Sequence, residues 1–393
     1  MRILYDSLGF EEPWGGVPRY LVELLRHLPG DCVPGLAVAG TPHAALQAPP
    51  FGIPPARQCV AEFCPGISFP GKRRLYLGLA RTCPWLWPSA ELANARLFAR
   101  MLRGGGFDVL HLTAPHRYGR AWRKAAGRVP IVVTVHDLIP ERVLGDARTR
   151  AERAAVLAAA SGVIAVSRAT RDDLVRTYGL DGRKIAVVHH GVDSGAFVNG
   201  DGPRGAGDFL LYVGKRDGYK NWAAFVRQAA PWVCGAAGRG IVCVGSPFRA
   251  DERRALRALG LEGRAEARSA TDAELKSLYR TAFAYVCPST HEGFGLPVLE
   301  AMAAGCPAVL SDIPVMREVG GDAALYFSGG EALGAALATL RHPGARDEFV
   351  GRGVVRARSF TWERCARETA EVYRRAAARA RNGGGNPNGG VQG

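Results

Sequence analysis

Short continuous apolar runs recur along the chain, each followed by a glycine-bearing or polar stretch and then, in most cases, by an amphipathic segment. Residues 2–7 (RILYDS), 107–112, 130–135, 162–167 and 184–189 read as strands, with helices at 19–27, 151–160 and 168–178. The rhythm restarts at 209–213 and continues through 241–244, 283–287 and 307–310. Residues 311–318 then read as a turn, and 331–341, 346–356 and 362–381 as helices. Unbroken apolar strands that alternate with helices indicate parallel sheets covered on both faces. The fold class expected is therefore α/β, and 393 residues exceed one ordinary core, so two domains of roughly 180 residues each are expected. We place the first at 1–200 and the second at 205–360, divided by the polar, Gly-rich stretch 199–207, with a basic amphipathic helix following at 361–381. Residues 382–393 (NGGGNPNGGVQG) have too little apolar surface to order themselves.

Composition narrows the setting more than the chemistry. Hydrophobic content of 47% with 22% charged residues is that of a globular protein, and no apolar run is long enough to span a bilayer. Nine cysteines without metal-ligand or redox spacing indicate a reducing cytosol, and the first thirty or so residues lack the features of a signal peptide. The net charge of +15 is unevenly spread. Residues 1–196 hold 25 basic and 16 acidic residues, and 72–128 alone hold 12 and 2, so the whole excess of the first half lies in that segment. It also carries Tyr76, Trp85 and Trp87. Two readings stay open for it: peripheral contact with an anionic membrane, or two ordinary helices, broken at Pro84 and Pro88, with their arginines solvated. Nucleic acid is not expected, since the aromatic and basic residues are not interleaved as in an RNA-binding motif.

The candidate chemistry gathers in FAYVCPSTHEGFGLPVLE, residues 283–300. A buried strand ends at Pro288, and Pro297 suits the first turn of a helix, where its missing N–H costs nothing. Gly293 and Gly295 allow positive φ or close backbone approach, and the N–H groups around Gly295 to Val298 make an anion site. Glu292 and Glu300 flank it. Carboxylates there would repel phosphate, so hydroxyls are their expected partners, which suits a ligand with phosphate in the middle and polyols on both sides.

EGFGLPVLEAMAAGCPAVLSD, with Glu292 and Glu300 separated by seven residues, resembles the GT4 retaining glycosyltransferases of the two-domain GT-B fold. The resemblance covers roughly residues 1–380. It implies two Rossmann-like domains facing across a cleft: an acceptor domain, then a nucleotide-sugar donor domain. It further implies transfer of a hexose, mannose or a related sugar favoured, from a nucleoside diphosphate sugar to a glycan or lipid-linked saccharide, in the cytoplasm or at the inner face of the membrane. Glu292, His136 and Lys220 would be catalytic. Glu300 would hold the ribose, while Lys215, Arg216, Gly293, Phe294, Gly295 and Leu296 complete the donor site and Gly15, Gly16 and Asp137 serve the diphosphate and acceptor. Two lysines can neutralise the leaving diphosphate, so neither a metal nor a separate cofactor is expected. The chain departs from the family at His190, where many members have Asn, and at Ala267 and Arg268, which leaves the base unassigned. Two other readings stay open: a nucleotide-sugar epimerase of the same fold, and a non-catalytic glycan- or membrane-binding module.

Overall fold

The computed structural model describes residues 1–6, 15–36, 98–113, 126–193, 207–329 and 332–382. Residues 7–14, most of the basic segment 72–128, the stretch 199–207 apart from its last residue, and the tail from 383 lie outside the described residues. The chain divides into two compact units. Met1–Val166, Thr170–Val188 and the chain from Glu363 form the first, and Ser167–Ala169 with His189–Trp362 form the second.

In the first unit, β1 (Arg2–Tyr5) leads to α1 (Gly16–Arg26), then β2 (Val33–Leu36), β3 (Val109–Leu112) and β4 (Ile131–Val135). Helices α2 (Ile139–Arg142) and α3 (Ala147–Ala159), β5 (Gly162–Ala165), α4 (Arg168–Tyr178) and β6 (Ile185–Val187) follow. The strands lie in the order β2-β1-β3-β4-β5-β6 and pair in parallel. β3 and β4 are buried along their whole length, as their unbroken apolar sequences require. α1 turns Tyr20, Leu21, Leu24 and Leu25 inward.

The second unit runs β7 (Phe209–Val213), α5 (Trp222–Cys234), β8 (Gly240–Val244), α6 (Ala250–Ala258), β9 (Ala265–Arg268), α7 (Asp272–Thr281) and β10 (Ala284–Cys287). It continues with α8 (Leu296–Ala303), β11 (Ala308–Ser311), α9 (Pro314–Gly320), β12 (Ala324–Phe327), α10 (Ala332–Thr339) and α11 (Ala345–Arg358). Its parallel sheet has the order β12-β11-β10-β7-β8-β9. That is the doubly wound order in which the direction of winding reverses between the first and fourth strands, here β7 and β10. Leu210, Phe225, Ile241, Val286 and Val309 belong to its core. The last helix, α12 (Trp362–Arg381), groups with the first unit from Glu363 onward.

Two boundaries differ from the sequence reading. The stretch 311–318, read as a turn, contains the start of α9, because Pro314 occupies a first-turn position where its ring is tolerated. The passage between units falls at Val188 and His189 rather than in 199–207. The reason is local packing within the second unit: His190 is buried, and the Val192 N–H donates to the Phe360 carbonyl at 3.0 Å. Gly191 lies so close to the chain at Thr361 and Trp362 that a Cβ would come within 2.2 Å of the Trp362 nitrogen.

Gly191→Ala is therefore expected to lower stability by about 2 kcal/mol or more, since backbone cannot step aside as a side chain can. Gly351→Ala, in α11 with nothing within 4 Å of the added methyl, should instead gain roughly 0.5–1 kcal/mol. Thermal melts of the two variants check the contrast, and equal shifts would contradict it.

Candidate active site

The loops that leave β7 and β10 stand on either side of the point where the second sheet reverses its winding, the usual place for a ligand in such sheets. They are tied together. Thr290 donates its N–H to the Tyr219 carbonyl at 2.8 Å, and the Asn221 amide donates to the Pro288 carbonyl at 3.2 Å. Asn221 takes φ 54°, a left-handed conformation that asparagine tolerates, and so ends the turn 218–220 and starts α5. This turn delivers Lys220, whose Nζ donates to Glu292 Oε1 at 2.6 Å across 72 residues of sequence. Burial disfavours the ammonium, but its surroundings, the Glu292 carboxylate foremost, together outweigh that and raise the Lys220 pKa above its ordinary value. Tyr212, Lys220, Cys287, Ser289, Glu292 and Gly295 are among the residues lining one recess there. Cys287 is a protonated thiol at neutral pH, because burial pushes its pKa up.

Glu300 lies one turn inside α8, 5% exposed, and accepts a hydrogen bond from the Tyr279 hydroxyl at 3.1 Å. Gly295 precedes the helix at φ 95°, a value that favours glycine. Gly293 does not share that role: its φ is not positive, and its carbonyl accepts from the Ser167 hydroxyl at 2.7 Å. The Val298 N–H, expected to face an anion, already donates to the Gly295 carbonyl.

Three of the predicted donor-site side chains are engaged within the second unit. Arg216 forms a buried two-bond ion pair with Glu252, at 3.0 and 3.1 Å, and donates to the Pro247 carbonyl, so it fastens the β7 loop to α6. Phe294 and Leu296 are buried, and Phe294 packs against His189, His190 and Phe360. Both side chains anchor the loop. Lys215 is exposed at the mouth of the same loop, and its carbonyl accepts from the Tyr212 hydroxyl.

The other predicted residues lie in the first unit. Gly15, at φ 147° and ψ 173°, stands at the start of α1, which Gly16 opens. His136 follows β4, with the Tyr20 ring edge-on at 4.8 Å. Its ring nitrogens are shielded from solvent, and desolvation pulls its pKa down to about 3. Asp137 accepts from the Ile139 N–H at 3.0 Å, at the start of α2. Missing from the sequence reading is a buried polar chain beside them. The Tyr5 and Tyr373 hydroxyls share a hydrogen at 3.0 Å, and Tyr373 meets His111 Nδ1 at 2.5 Å. His111 Nε2 meets the Thr134 hydroxyl at 2.8 Å, which in turn lies 3.3 Å from the Tyr20 hydroxyl. Buried Asp6 accepts from Thr113 N–H and Oγ1 next to this chain. The position of Asp6 and His111 at the carboxyl ends of adjacent strands was the only sequence signal for it.

Two parallel α/β units, one of them doubly wound with a lysine and two glutamates at its reversal point, define the GT-B class of nucleotide-sugar transferases. The chain belongs to glycosyltransferase family 4: residues 14–195 match Glycosyltransferase Family 4 and residues 207–342 match Glycosyl transferases group 1. It is a transferase. Over 167 residues it is 32% identical to the O-antigen chain mannosyltransferase RfbU of Salmonella typhimurium, a match covering 42% of this chain and 46% of that one. The matched part thus spans less than half of that relative. Over 323 residues it is 30% identical to the D-inositol 3-phosphate glycosyltransferase of Acidothermus cellulolyticus, covering 72% of this chain and 70% of that one. The fold is shared with Anabaena HepE in complex with UDP and glucose, at a TM-score of 0.67 and 16% identity over 94% of this chain and 98% of the other. Among the described residues no helix is long and apolar enough to cross a membrane.

The low pKa values have a consequence for stability. Burial pulls His111 down to about 4, as it pulls His136 lower still, whereas an unfolded histidine titrates near 6.5. Below about pH 6.5 the unfolded chain binds protons that the folded chain refuses, so stability is full above that pH and falls as pH drops. At about pH 5 the fully buried His111 alone should cost about 2 kcal/mol. Denaturant unfolding between about pH 8 and pH 5, compared with His136→Gln, should show a shallower acid limb in the variant. Identical limbs would mean that His136 is not neutral in the folded protein.

Proposed function

We propose that the protein is a retaining hexosyltransferase that moves mannose, or a closely related sugar, from a nucleoside diphosphate sugar to a hydroxyl of a glycan or lipid-linked saccharide. Its place would be the assembly of cell-surface polysaccharide or lipopolysaccharide, at the cytoplasmic side of the membrane. The observation that carries this reading is the Lys220–Glu292 pair facing a recess at the reversal point of the second sheet, with Glu300 buried one helical turn away. The similarity to an O-antigen chain mannosyltransferase supports the sugar and the acceptor class.

Each residue then has a task. The ammonium of Lys220 neutralises the diphosphate as the bond from the anomeric carbon to its oxygen breaks, and Lys215 adds charge at the mouth of the loop. As Lys220 turns to phosphate, Glu292 becomes the acceptor for donor-sugar hydroxyls near the anomeric centre. Glu300 accepts from the ribose hydroxyls, and Gly295 lets the backbone approach the ligand. In the first unit, neutral His136 hydrogen-bonds the sugar, Gly15 and Gly16 give the backbone close approach, and Asp137 shapes the acceptor side through α2. With retention, the acceptor attacks on the face from which the diphosphate leaves, and a phosphate oxygen takes the acceptor proton. In this reading Lys220 supplies the positive charge and the reaction proceeds without a metal ion.

A thermal-shift panel of UDP-, GDP- and ADP-sugars tests the donor site. One nucleotide class should stabilise the wild type saturably and leave Glu300→Ala unshifted. With the sugar so selected, Lys220→Ala should lower kcat roughly 10²–10³-fold. The absence of stabilisation by any of the three classes would refute the proposal.

A further inference from the structure

The reading of Glu300 as the ribose ligand leaves open how a flexible glutamate is held for that task. Its side chain has three rotatable bonds, and freezing them on a ligand costs up to about 2 kcal/mol. Bidentate acceptance from two neighbouring hydroxyls further requires the plane of the carboxylate to be fixed. Backbone position alone does not fix it, since α8 sets only where the Cα lies.

Tyr279 supplies one such restraint. It lies on α7, 21 residues before Glu300, and none of its surface is exposed. Its hydroxyl donates to Glu300 Oε2 at 3.1 Å. The ring cannot swing away, because Tyr285 of β10 packs against it edge-on, with centroids 5.7 Å apart and planes at 73°. α7 is itself fixed at its start by a reciprocal cap, in which Thr271 Oγ1 accepts from the Glu274 N–H and the Glu274 carboxylate accepts from the Thr271 N–H. A capped helix, a clamped ring and a hydroxyl thus hold one oxygen of a buried carboxylate.

We infer that Tyr279 is the positioning residue for the ribose-binding carboxylate, so that its hydroxyl sets how strongly the enzyme reads the hydroxyls of the nucleotide's ribose. This rests on the function proposed above. Tyr279 touches no ligand itself. It orients Glu300 before the nucleotide arrives, and its loss should act on ribose recognition rather than on bond breaking.

The test is calorimetric binding of UDP, GDP and ADP, and of their 2′,3′-dideoxy forms, to wild type, Tyr279→Phe, Glu300→Gln and the double variant. The nucleotide that the wild type binds should lose about tenfold in affinity in Tyr279→Phe, a loss in the range for a hydrogen bond to a charged group. Its dideoxy form should bind wild type and Tyr279→Phe equally, and the effect of Tyr279→Phe should shrink once Glu300 is Gln, whose amide oxygen still accepts from Tyr279 but carries no charge. In turnover, donor KM should rise about tenfold with kcat within a factor of two. Tyr279→Met serves as a second hydroxyl-free variant if Tyr279→Phe does not fold. An equal loss for the ribose and dideoxy nucleotides, or no loss for either, overturns the inference while leaving the donor site standing. Failure of the wild type to bind any of the three nucleotides overturns the proposed function and this inference with it.

Discussion

A lysine and a glutamate half-buried at the mouth of a parallel sheet hold each other's charge, and the second unit is built to keep Lys220 and Glu292 in that relation. Each alone would suffer the cost of desolvation with nothing to offset it. Their meeting depends on the reversal of winding between β7 and β10, which makes neighbours of loops 72 residues apart. It depends as well on the hydrogen bonds between Tyr219 and Thr290 and between Asn221 and Pro288, which keep the two loops in register. The Arg216–Glu252 pair then ties the β7 loop to α6 from behind. An ion pair so placed can be exchanged. A diphosphate offers Lys220 a stronger anion, and the carboxylate released is left beside whatever hydroxyls the ligand carries.

How much of this could be read from the sequence follows from the range of each interaction. The strand, turn and helix around Glu292 and Glu300 are local, and the apolar run with Pro288, Gly295 and Pro297 specifies them within a few turns. Lys220 was legible because it follows β7 directly. The ion pair of Arg216 was not, because its partner lies 36 residues on, in a helix that the apolar pattern did not reveal. α6 carries mostly charged residues and buries only Glu252 and Leu256, so its apolar stripe is too thin to register. Phe294 looked like a ligand residue for the opposite reason: its position in the motif was visible, but the aromatic cluster that buries it comes from His189, His190 and Phe360, far away in sequence. The boundary near Val188 was hidden likewise, since the Gly-rich stretch is conspicuous and the pairing of Val192 with Phe360 is not.

The first unit shows what a long-range polar network adds. Tyr373 reaches His111 across 262 residues and Tyr5 across 368, so the last helix completes a hydrogen-bonded chain whose other members come from β1, β3, β4 and α1. Each hydroxyl can turn to donate or accept, and a neutral imidazole does one at each nitrogen, so the chain is satisfied without any charge. Protonating His111 would remove its acceptor and place a cation where none of the surface is exposed, which is why its pKa falls. Through Tyr20 the chain comes up against His136, whose ring the Tyr20 ring meets edge-on.

The two units therefore contribute opposite electrostatics to the proposed reaction. His136 is held neutral, so it can offer a hydrogen bond but no net positive charge at neutral pH. Arg216 carries a charge, but one already spent on Glu252. In the proposed reaction Lys215, exposed on the loop, and Lys220, partly buried beside Glu292, meet the departing diphosphate. A charge acts far more strongly where water is partly excluded, so Lys220 should carry most of the stabilisation and Lys215 a screened remainder. The pairing with Glu292 is then what makes such a site possible before ligand arrives. It keeps the ammonium charged against burial, in a place where its charge is worth most during bond breaking.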